Sequence, residues 1–500
     1  MEKAYVMGID EGTTYARTII LDEEGQIVAE AARELTQHYP RTGWVHHNPM
    51  EILETQLGSM RQALDEAKLS PQDIRTIGLT NQRETTLVWE KASGQPVHDA
   101  IAWSSRQSAD IVGRWTAEGL NGDILQKTGL PNDAWFSASK LAWILERVEG
   151  ARQKAERGEL IAGTIDTWLI WNLTGGERHV TDYSNASRTM MFNIHTLSWD
   201  EELCDAFGIP VQMLPEVVPS DADFGSVGPS FETDAHIQGS LGDQQAGLFG
   251  QTCFKSGSAK NTLGTAGVYT MNTGSQPLKL DGVTASVAWG VNGQVTYATE
   301  GVFFSAGATI QWMCDVGKLI NSAADSEWYS SQVPDTQGVY FVPAFGGLTA
   351  PYWDIHARAA IIGMSSSTER SHIIRAGLES LAYQTKDIVN TILANGNIDL
   401  PQVHLDGGAV KNNVLCQFLA DILGIPVVRP KATEATVLGA AYMAGLSSRL
   451  WRDMDELSAM WQEDRTFEPQ MSQERRDQLY KGWLAAVEST RGWAEKVALD

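Results

Sequence analysis

Gly8-Ile9-Asp10-Glu11-Gly12-Thr13-Thr14, near the start of the chain, is an acidic stretch rich in glycine and threonine. The surrounding pattern predicts a strand over residues 4–8, a turn over 10–14 and then a second strand. A similar arrangement returns over residues 258–271, where Gly264-Thr265-Ala266-Gly267 separates two strand-like runs. This repeat predicts two similar units that face each other and hold a phosphate chain between them.

A third glycine turn, Leu241-Gly242-Asp243-Gln244-Gln245, leads into a helix predicted over residues 244–249. Transfer of a phosphoryl group needs phosphate oxygens held by amides and hydroxyls, a divalent metal, and a base near the acceptor hydroxyl. Asp243 is the one carboxylate on this turn, so we assign it the role of the base. We assign Asp10 the role of holding a water bound to the metal. Hydroxyl and amide donors are expected from Thr13, Thr14 and Thr265.

Each of these turns, taken alone, is more typical of a solvated loop than of a site. The occurrence of three such turns in two similar units favours the phosphate interpretation. The sequence contains no G-x-x-x-x-G-K-[ST] and no G-x-G-x-x-G pattern, so neither common phosphate motif explains the glycines. His46-His47 has no third ligand at a recognisable spacing, and no metal site is expected there.

The length of 500 residues exceeds that of one ordinary core, so we expect two α/β domains, over 1–254 and 255–500, with a cleft between them. The formal net charge of −24 argues against nonspecific binding to nucleic acid or to an anionic membrane surface. Four scattered cysteines indicate neither a disulfide framework nor a zinc site. No apolar run approaches the ~20 residues of a membrane span. A soluble, cytoplasmic protein is predicted.

Arg83-Glu84 lies in the polar run 80–86, directly after a strand predicted over residues 76–79. Ligands of open α/β sheets gather where strands end, and a guanidinium beside a carboxylate can donate to and accept from neighbouring polyol hydroxyls. A structural ion pair is the alternative interpretation. Trp103 could form an apolar wall for the C–H faces of a polyol, although a tryptophan in this setting more often belongs to a core.

Further helices are predicted over residues 303–312, 371–393 and 434–446, and the last helices are expected to pack back on the first domain. Gly407-Gly408-Ala409, followed by Asn412, could let an adenine or a ribose approach the backbone at a helix start. Alone, this motif would pass as a tight turn between a strand and a helix.

Taken together, these motifs resemble the FGGY carbohydrate kinase family, and within it the glycerol kinases. The resemblance covers almost the full chain, and its motifs lie in residues 8–14, 80–86, 163–171, 181–190, 242–249, 259–262, 350–354, 406–413 and 438–442. It implies the two-domain actin/Hsp70/hexokinase-like ATPase fold, with ribonuclease H-like domains around a central cleft. It also implies ATP and Mg²⁺, closure of the domains around both substrates, and a homodimer or homotetramer.

The same resemblance implies a role for each matching residue of the cleft. Those expected to contact the nucleotide are Thr13, Thr14, Arg17, Gly264, Thr265, Gly307, Gln311, Gly408 and Asn412, with Asp10 near the metal. Those expected to hold the polyol are Arg83, Glu84, Trp103, Trp135, Asp243, Gln244 and Val268.

Two of these positions depart from the pattern usual in glycerol kinases. Trp135 stands where a tyrosine usually precedes the Phe136-Ser137 pair, and Val268 stands where a phenylalanine usually ends the second phosphate turn. The first change removes a hydroxyl donor, and the second vacates the volume of a ring. A lost hydrogen-bonding group can shift discrimination between substrates by several kcal/mol, whereas an altered apolar wall shifts it by ~1–3 kcal/mol.

Three functions remain open from the sequence. The first is ATP-dependent phosphorylation of a terminal hydroxyl of glycerol, giving sn-glycerol 3-phosphate and ADP. The second keeps this chemistry but uses a longer polyol or a ketose, such as erythritol, threitol, arabinitol, xylulose or ribulose, because of Trp135 and Val268. The third is a nucleotide-switched binding protein of the actin/Hsp70 class, which would have no use for Arg83-Glu84 or for a base at Asp243.

Overall fold

Two large β-sheets organise the molecule in the computed structural model, which describes residues 4–228, 231–278, 280–396, 398–432 and 434–497. The first half of the chain forms β1 (Tyr5–Glu11), β2 (Tyr15–Leu21), β3 (Ile27–Glu34), β4 (His46–His47), α1 (Pro49–Ala67), β5 (Ile74–Asn81), β6 (Leu87–Glu90), β7 (Ala100–Ile101), α2 (Ala109–Ala117), α3 (Asn121–Thr128), α4 (Ser137–Arg147), α5 (Ala151–Glu156), β8 (Leu160–Gly163), α6 (Ile165–Leu173), β9 (Val180–Asp182), α7 (Tyr183–Ala186), β10 (Phe192–Asn193), β11 (Ser198–Trp199), α8 (Glu201–Phe207), β12 (Glu216–Val218), β13 (Gly225–Ser226), β14 (His236–Gly242) and α9 (Asp243–Gly250).

The second half forms β15 (Ala259–Leu263), β16 (Gly267–Gly274), β17 (Thr284–Val291), β18 (Gln294–Phe303), α10 (Gly307–Asp315), α11 (Asp325–Ser331), β19 (Tyr340–Val342), β20 (Ala360–Ile362), α12 (Arg370–Gly396), β21 (Val403–Asp406), α13 (Asn413–Leu423), β22 (Val427–Pro430), α14 (Ala435–Ser447), α15 (Met454–Met460), β23 (Glu463–Phe467), α16 (Gln473–Thr490) and α17 (Trp493–Lys496). Short 3-10 helices lie at Pro71–Asp73, Val211–Met213 and Gly408–Lys411.

The two sheets repeat one strand order. The first runs β13-β14-β5-β1-β2-β3, and the second runs β17-β18-β16-β15-β21-β22-β23. In each sheet a row of antiparallel strands, three in the first and four in the second, continues into two parallel ones, which are β5 and β14 in the first and β21 and β22 in the second. This repeat confirms the predicted fold, a pair of ribonuclease H-like units arranged as in the actin/Hsp70/hexokinase-like ATPases. It also gives the turns at residues 12–14 and 264–266 equivalent positions.

Helices cover both faces of the first sheet. Met7 and Ile9 of β1 belong to a buried core that includes Ile52 of α1. On the opposite face α14 lies so close that a Cβ on Gly8 would be 2.7 Å from a carbonyl oxygen of α14, and a Cβ on Gly78 would be 1.9 Å from another. A side chain at either glycine would push this helix away. A helix from the second half of the chain therefore packs on the sheet of the first half.

α9 and α14 cross at close range. A Cβ on Gly439 would lie 1.8 Å from the carbonyl oxygen of Ala246, and one on Gly250 would lie 2.0 Å from that of Ala435. Each helix follows the last parallel strand of its own sheet, β14 or β22. The crossing therefore joins the two halves, and it fixes the end of α9 opposite to Asp243.

Some predicted elements differ from the structure in extent. Asp10 and Glu11 belong to β1, because pairing with β2 continues through both, and the turn is confined to residues 12–14. The helix predicted over 303–312 begins only at Gly307, because Phe303 ends β18, where it pairs with Gly267 of β16, and residues 304–306 form a bend before the helix. The helices predicted over 244–249, 371–393 and 434–446 are confirmed as α9, α12 and α14. Within the described ranges, no helix is long and apolar enough to cross a membrane.

Candidate active site

Asp10 lies near the end of β1, between Arg17 of β2 and Thr80 of β5. Burial raises the pKa of its carboxyl to about 7, with the Arg17 guanidinium opposing this shift and the Asp243 carboxylate adding to it. Its Oδ1 is buried and has no hydrogen-bond partner among the described residues. Two carboxylates, from β1 and from α9, thus act on each other here, and an acceptor oxygen is left open to a cation.

Asp243 is the first residue of α9, directly after β14. Its Oδ1 lies 2.8 Å from Nε of Arg83 and accepts a hydrogen bond of 2.7 Å from the backbone N–H of Gln244. The side chain is 30% exposed, so an entering ligand can reach it. A carboxylate fixed at a helix N-terminus beside a guanidinium can take a proton from a hydroxyl bound against it.

Arg83 is almost fully buried, and its guanidinium is held by several acceptors. Nη1 donates to Glu300 Oε2 at 2.9 Å and to Gln245 Oε1 at 3.2 Å, and Nη2 donates to Glu300 Oε1 at 3.1 Å. Although burial opposes its charge, the carboxylates of Glu300, Asp243 and Glu84 together raise the pKa of Arg83. The guanidinium is therefore a fixed cation.

Glu84 has a backbone φ of +63°, in the left-handed region that favours glycine. Ser137 and Thr86 hold it there by donating from their hydroxyls to its carbonyl oxygen at 3.0 and 2.9 Å. Burial raises the pKa of its carboxyl, while the Arg188 and Arg83 guanidinium groups lower it. Nε of Arg188 donates to Glu84 Oε1 at 2.6 Å. Strained backbone held by its surroundings is typical of functional sites.

The predicted aromatic wall lies in one apolar cluster. The ring centroids of Trp103 and Trp135 are 6.2 Å apart, and Val268 packs on the same cluster. Nε1 of Trp103 donates to Thr13 Oγ1 at 2.9 Å, so the wall is bonded to the turn at residues 12–14. Nε1 of Trp135 is buried without an acceptor among the described residues. Phe304, 44% exposed, faces Trp135 at 6.5 Å and is an aromatic neighbour that the sequence did not indicate.

The glycines predicted to contact the nucleotide converge at the ends of β15 and β21. The N–H of Gly307 donates to the carbonyl oxygen of Gly264 at 2.8 Å. A Cβ on Gly407 would lie 2.6 Å from the carbonyl carbon of Leu263, the residue before Gly264. Gly408 borders open space, because a Cβ added to it would have no atom of the described residues within 4 Å. The carbonyl of Thr265 accepts from two N–H groups at the start of α10, at 3.2 and 3.1 Å.

Other predicted nucleotide residues have protein partners. Asn412 caps α13 by accepting from the N–H of Leu415 at 3.0 Å, and its Nδ2 donates to Ser326 at 3.1 Å. Gln311, further along α10, donates to the carboxylate of Asp315. Arg17 forms ion pairs with Glu434 and Glu30. Thr14 is exposed beside the first turn. Nucleotide contact stays a prediction for each of these residues.

Four site residues were missed from the sequence: Arg188, Gln245, Lys260 and Glu300. Arg188 and Lys260 lie in two of the family motifs, at residues 181–190 and 259–262, but the sequence assigned neither of them a partner. Glu300 did give a signal, since it is a lone carboxylate in the strongly apolar end of β18. Charged residues are rarely buried without a partner, so such a position indicates an ion pair.

The chain is similar to known proteins over almost its whole length. The model of the N-terminal domain of the FGGY family of carbohydrate kinases matches residues 5–250, and that of the C-terminal domain matches residues 259–448. The chain is 53% identical over 496 residues to the glycerol kinase of Carboxydothermus hydrogenoformans, covering 99% of each chain. It is 51% identical over 494 residues to glycerol kinase 2 of Thermotoga maritima, covering 98% of this chain and 100% of the other.

The fold has a close match among solved structures. The crystal structure of Plasmodium falciparum glycerol kinase with ADP superposes with a TM-score of 0.93 at 35% identity, covering 98% of each chain. Both family models together span most of the sequence, including every turn described above. The chain belongs to the FGGY family of carbohydrate kinases.

Proposed function

We propose that this protein transfers the γ-phosphate of ATP to a terminal hydroxyl of glycerol, giving sn-glycerol 3-phosphate and ADP. The observation that carries the proposal is the 2.8 Å separation of Asp243 Oδ1 and Arg83 Nε, which sets a base beside a polyol-binding cation. Glycerol as the acceptor is supported by full-length identities of 53% and 51% to proteins named glycerol kinases.

In this proposal Asp243 accepts the proton of the attacking hydroxyl. The carboxylate is partly exposed at the start of α9, while Arg83 beside it is fixed by Glu300. The guanidinium and the Glu84 carboxylate bind and orient the remaining hydroxyls by donating and accepting hydrogen bonds. Trp103 and Trp135, with Val268, form the apolar wall against the carbon chain. Gln244, next to the base, holds the polyol from the α9 side.

Mg²⁺ fits the residues present at Asp10. A buried carboxylate oxygen without a partner, on a group whose pKa is raised by burial, gains from a cation that supplies the missing positive charge. The metal, when bound, would neutralise charge on the transferring phosphate and orient its oxygens. Asp10 would hold a metal-bound water. The residues proposed to hold ATP are Thr13, Thr14, Arg17, Gly264, Thr265, Gly307, Gln311, Gly408 and Asn412.

The proposal extends to the organisation of the chain. We place the domain boundary near Lys255, so that the domains comprise residues 1–254 and 255–500, because the two family matches end at 250 and begin at 259. A cytoplasmic homodimer or homotetramer is part of the same proposal. Size-exclusion chromatography with light scattering tests the assembly.

The decisive experiment measures ADP release by the purified protein with ATP and Mg²⁺ against glycerol, erythritol, threitol, arabinitol, xylitol and ribulose. The highest kcat/KM is expected for glycerol. A longer polyol or a ketose with the highest kcat/KM would replace the acceptor while keeping the mechanism. ATP turnover independent of any of these compounds would contradict the proposal and favour a nucleotide-switched binding protein.

A further inference from the structure

The polar side chains proposed to bind the polyol come from the first half of the chain, but two of them are held by charges on the sheet of the second half. Arg83 follows β5, and its partner Glu300 lies on β18. Gln244 lies on α9, and its partner Lys260 lies on β15. Both partners are buried, with 2% and 1% of their surface exposed. The polyol site is therefore built across the boundary between the halves.

Glu300 is a counter-ion shared by two arginines. Its carboxylate accepts from both terminal nitrogens of Arg83, and its Oε1 also lies 3.2 Å from Nη2 of Arg188. Nη1 of Arg188 donates to Thr284, the register partner of Glu300 on β17. Burial opposes the charge of Glu300, but the two guanidinium groups outweigh it and lower the pKa of this carboxyl. A buried carboxylate with two such partners fixes both guanidinium planes.

The arrangement leaves one edge of the Arg83 guanidinium for a ligand. A guanidinium has five N–H donors, and in Arg83 three of them donate, two to Glu300 and one to Gln245. The other two are on Nε and Nη2 and point along one edge of the plane. Nε has no hydrogen-bond partner among the described residues, although it lies 2.8 Å from Oδ1 of Asp243. Because Glu300 occupies the opposite fork, a hydroxyl bound along this edge lies beside the base.

Lys260 orients Gln244 in a comparable way. Its Nζ donates to Oε1 of Gln244 at 2.6 Å and to Oγ1 of Thr262 at 2.5 Å. With the amide oxygen occupied, the Nε2 end of Gln244 is left to donate, and it has no acceptor among the residues that the structure describes. A Cβ on Gly247 would be 3.0 Å from Cε of Lys260, so α9 closes over the lysine stem.

We propose that Glu300 and Lys260 are positioning residues of the polyol site, which fix Arg83 and Gln244 from the opposite half of the molecule. This inference rests on the proposed function of the site and deepens it. Neither residue contacts the polyol. Polyol affinity depends on how the second sheet is docked against the first half, because that docking sets the direction in which the two binding side chains donate.

The test uses Glu300→Gln, which keeps the shape of the side chain and removes its charge. The glycerol KM is expected to rise roughly 10- to 100-fold, while the ATP KM changes less than about 2-fold, within the range of a surface substitution. Calorimetric titration of glycerol without nucleotide is expected to give the same loss in Kd. Lys260→Met provides a second variant, with an expected rise of roughly 3- to 10-fold in the glycerol KM because one neutral hydrogen-bond acceptor is affected.

Glu379→Gln is the matched control. Glu379 is also a buried glutamate of the second half, and it accepts from Nε of Arg375 at 2.7 Å within α12. Burial raises the pKa of Glu379 to about 7, so the variants are compared at about pH 8.5, where this carboxyl is ionised as well. The substitution then removes a charge from a buried ion pair and is expected to leave the glycerol KM unchanged. Glu300→Asp keeps the charge but retracts it by one methylene, and an intermediate glycerol KM is expected.

The outcomes separate this inference from the proposed function. If the unmodified protein phosphorylates no polyol, the proposed function fails. If it phosphorylates a different polyol, the same comparison is made with that compound. The inference is overturned if folded Glu300→Gln keeps the parental polyol KM and Kd. It is also overturned if the variant raises the KM of ATP as much as that of the polyol, since a general structural defect would do that.

Discussion

Asp243 is the residue on which the proposed chemistry depends most directly. Asp243→Asn keeps the shape and removes the proton acceptor, so kcat is expected to fall by roughly 10²- to 10⁴-fold, the usual contribution of a general base. Binding of ADP, followed by protein fluorescence, is expected to change little because the glycines proposed to hold ATP lie in the second half of the chain. Near-normal turnover in this variant would remove the base assignment.

Glu11 gives a prediction about pH and stability. Burial raises the pKa of its carboxyl well above the ordinary value, with Asp10 and Glu51 adding to the shift, and both carboxylate oxygens lack partners among the described residues. The folded protein thus holds this proton at pH values where the unfolded chain releases it. Stability linked to Glu11 is therefore present below the ordinary pKa of 4.5 and is lost as pH rises through the folded value.

Glu11→Gln removes this titration. The stability of the variant relative to the parent is expected to be higher at pH 8 than at pH 5. The difference is expected to be roughly 1–3 kcal/mol in the free energy of unfolding, the usual cost of a buried polar group without a hydrogen-bond partner. Urea denaturation at the two pH values measures the gain. The exposed Glu24→Gln serves as the control. An equal difference between variant and parent at both pH values would contradict the prediction.

Trp135 and Val268 are the residues at which substrate choice is expected to respond. Combining Trp135→Tyr with Val268→Phe restores a hydroxyl donor and a ring to the wall. The preference for glycerol over erythritol, measured as a ratio of kcat/KM values, is expected to rise about 10-fold, within the ~1–3 kcal/mol that a reshaped apolar wall provides. An unchanged ratio would show that these positions tolerate variation.

At the scale of elements, the crossing of α9 and α14 is the contact most sensitive to added volume. Gly439→Ala would place a Cβ 1.8 Å from the carbonyl oxygen of Ala246, so the helices must separate. A loss of roughly 1–3 kcal/mol in the free energy of unfolding is expected from such overpacking, and kcat is expected to fall because α9 carries Asp243. Thermal denaturation and turnover measure the two effects.

Gly113→Ala in α2 is the matched control for this substitution. Gly113 is an exposed helical glycine, and an added Cβ would meet no described atom within 4 Å. The variant is expected to gain roughly 0.5–1 kcal/mol from the lower backbone entropy of alanine. Equal destabilisation by both substitutions would mean that the crossing is not specially close.

The elements also explain what the sequence could and could not predict. Asp243, Arg83 and Glu84 could be predicted as site residues because local glycine turns and strand ends mark them. Glu300 was missed because its partner Arg83 lies 217 residues away, and no local pattern encodes such a contact. The start of α10 was placed too early because apolar residues suit a central strand as well as a buried helix, and pairing with β16 decided between them.

At the scale of the whole molecule, the position of α14 predicts that the first half cannot fold well alone. This helix covers the sheet face that contains Val6, Ile19 and Leu241. A fragment of residues 1–254 would leave that apolar face in water and is expected to bind a hydrophobic dye and aggregate. Addition of a peptide of residues 434–448 is expected to reduce dye binding. A soluble fragment with a cooperative unfolding transition and no dye binding would contradict this prediction.

The repeated strand order has a consequence for the direction in which a ligand can lie. Asp10 of β1 stands beside Thr80 of β5, whereas at the equivalent places of the second sheet Thr262 of β15 stands beside Asp406 of β21. Acid and alcohol are thus interchanged between two otherwise matching strand pairs. A cleft with identical walls would accept a linear phosphate chain in either of two opposite directions. Because the carboxylate and the hydroxyl are interchanged, the two walls differ in where their negative charge lies. A phosphate chain then fits the cleft in one direction only.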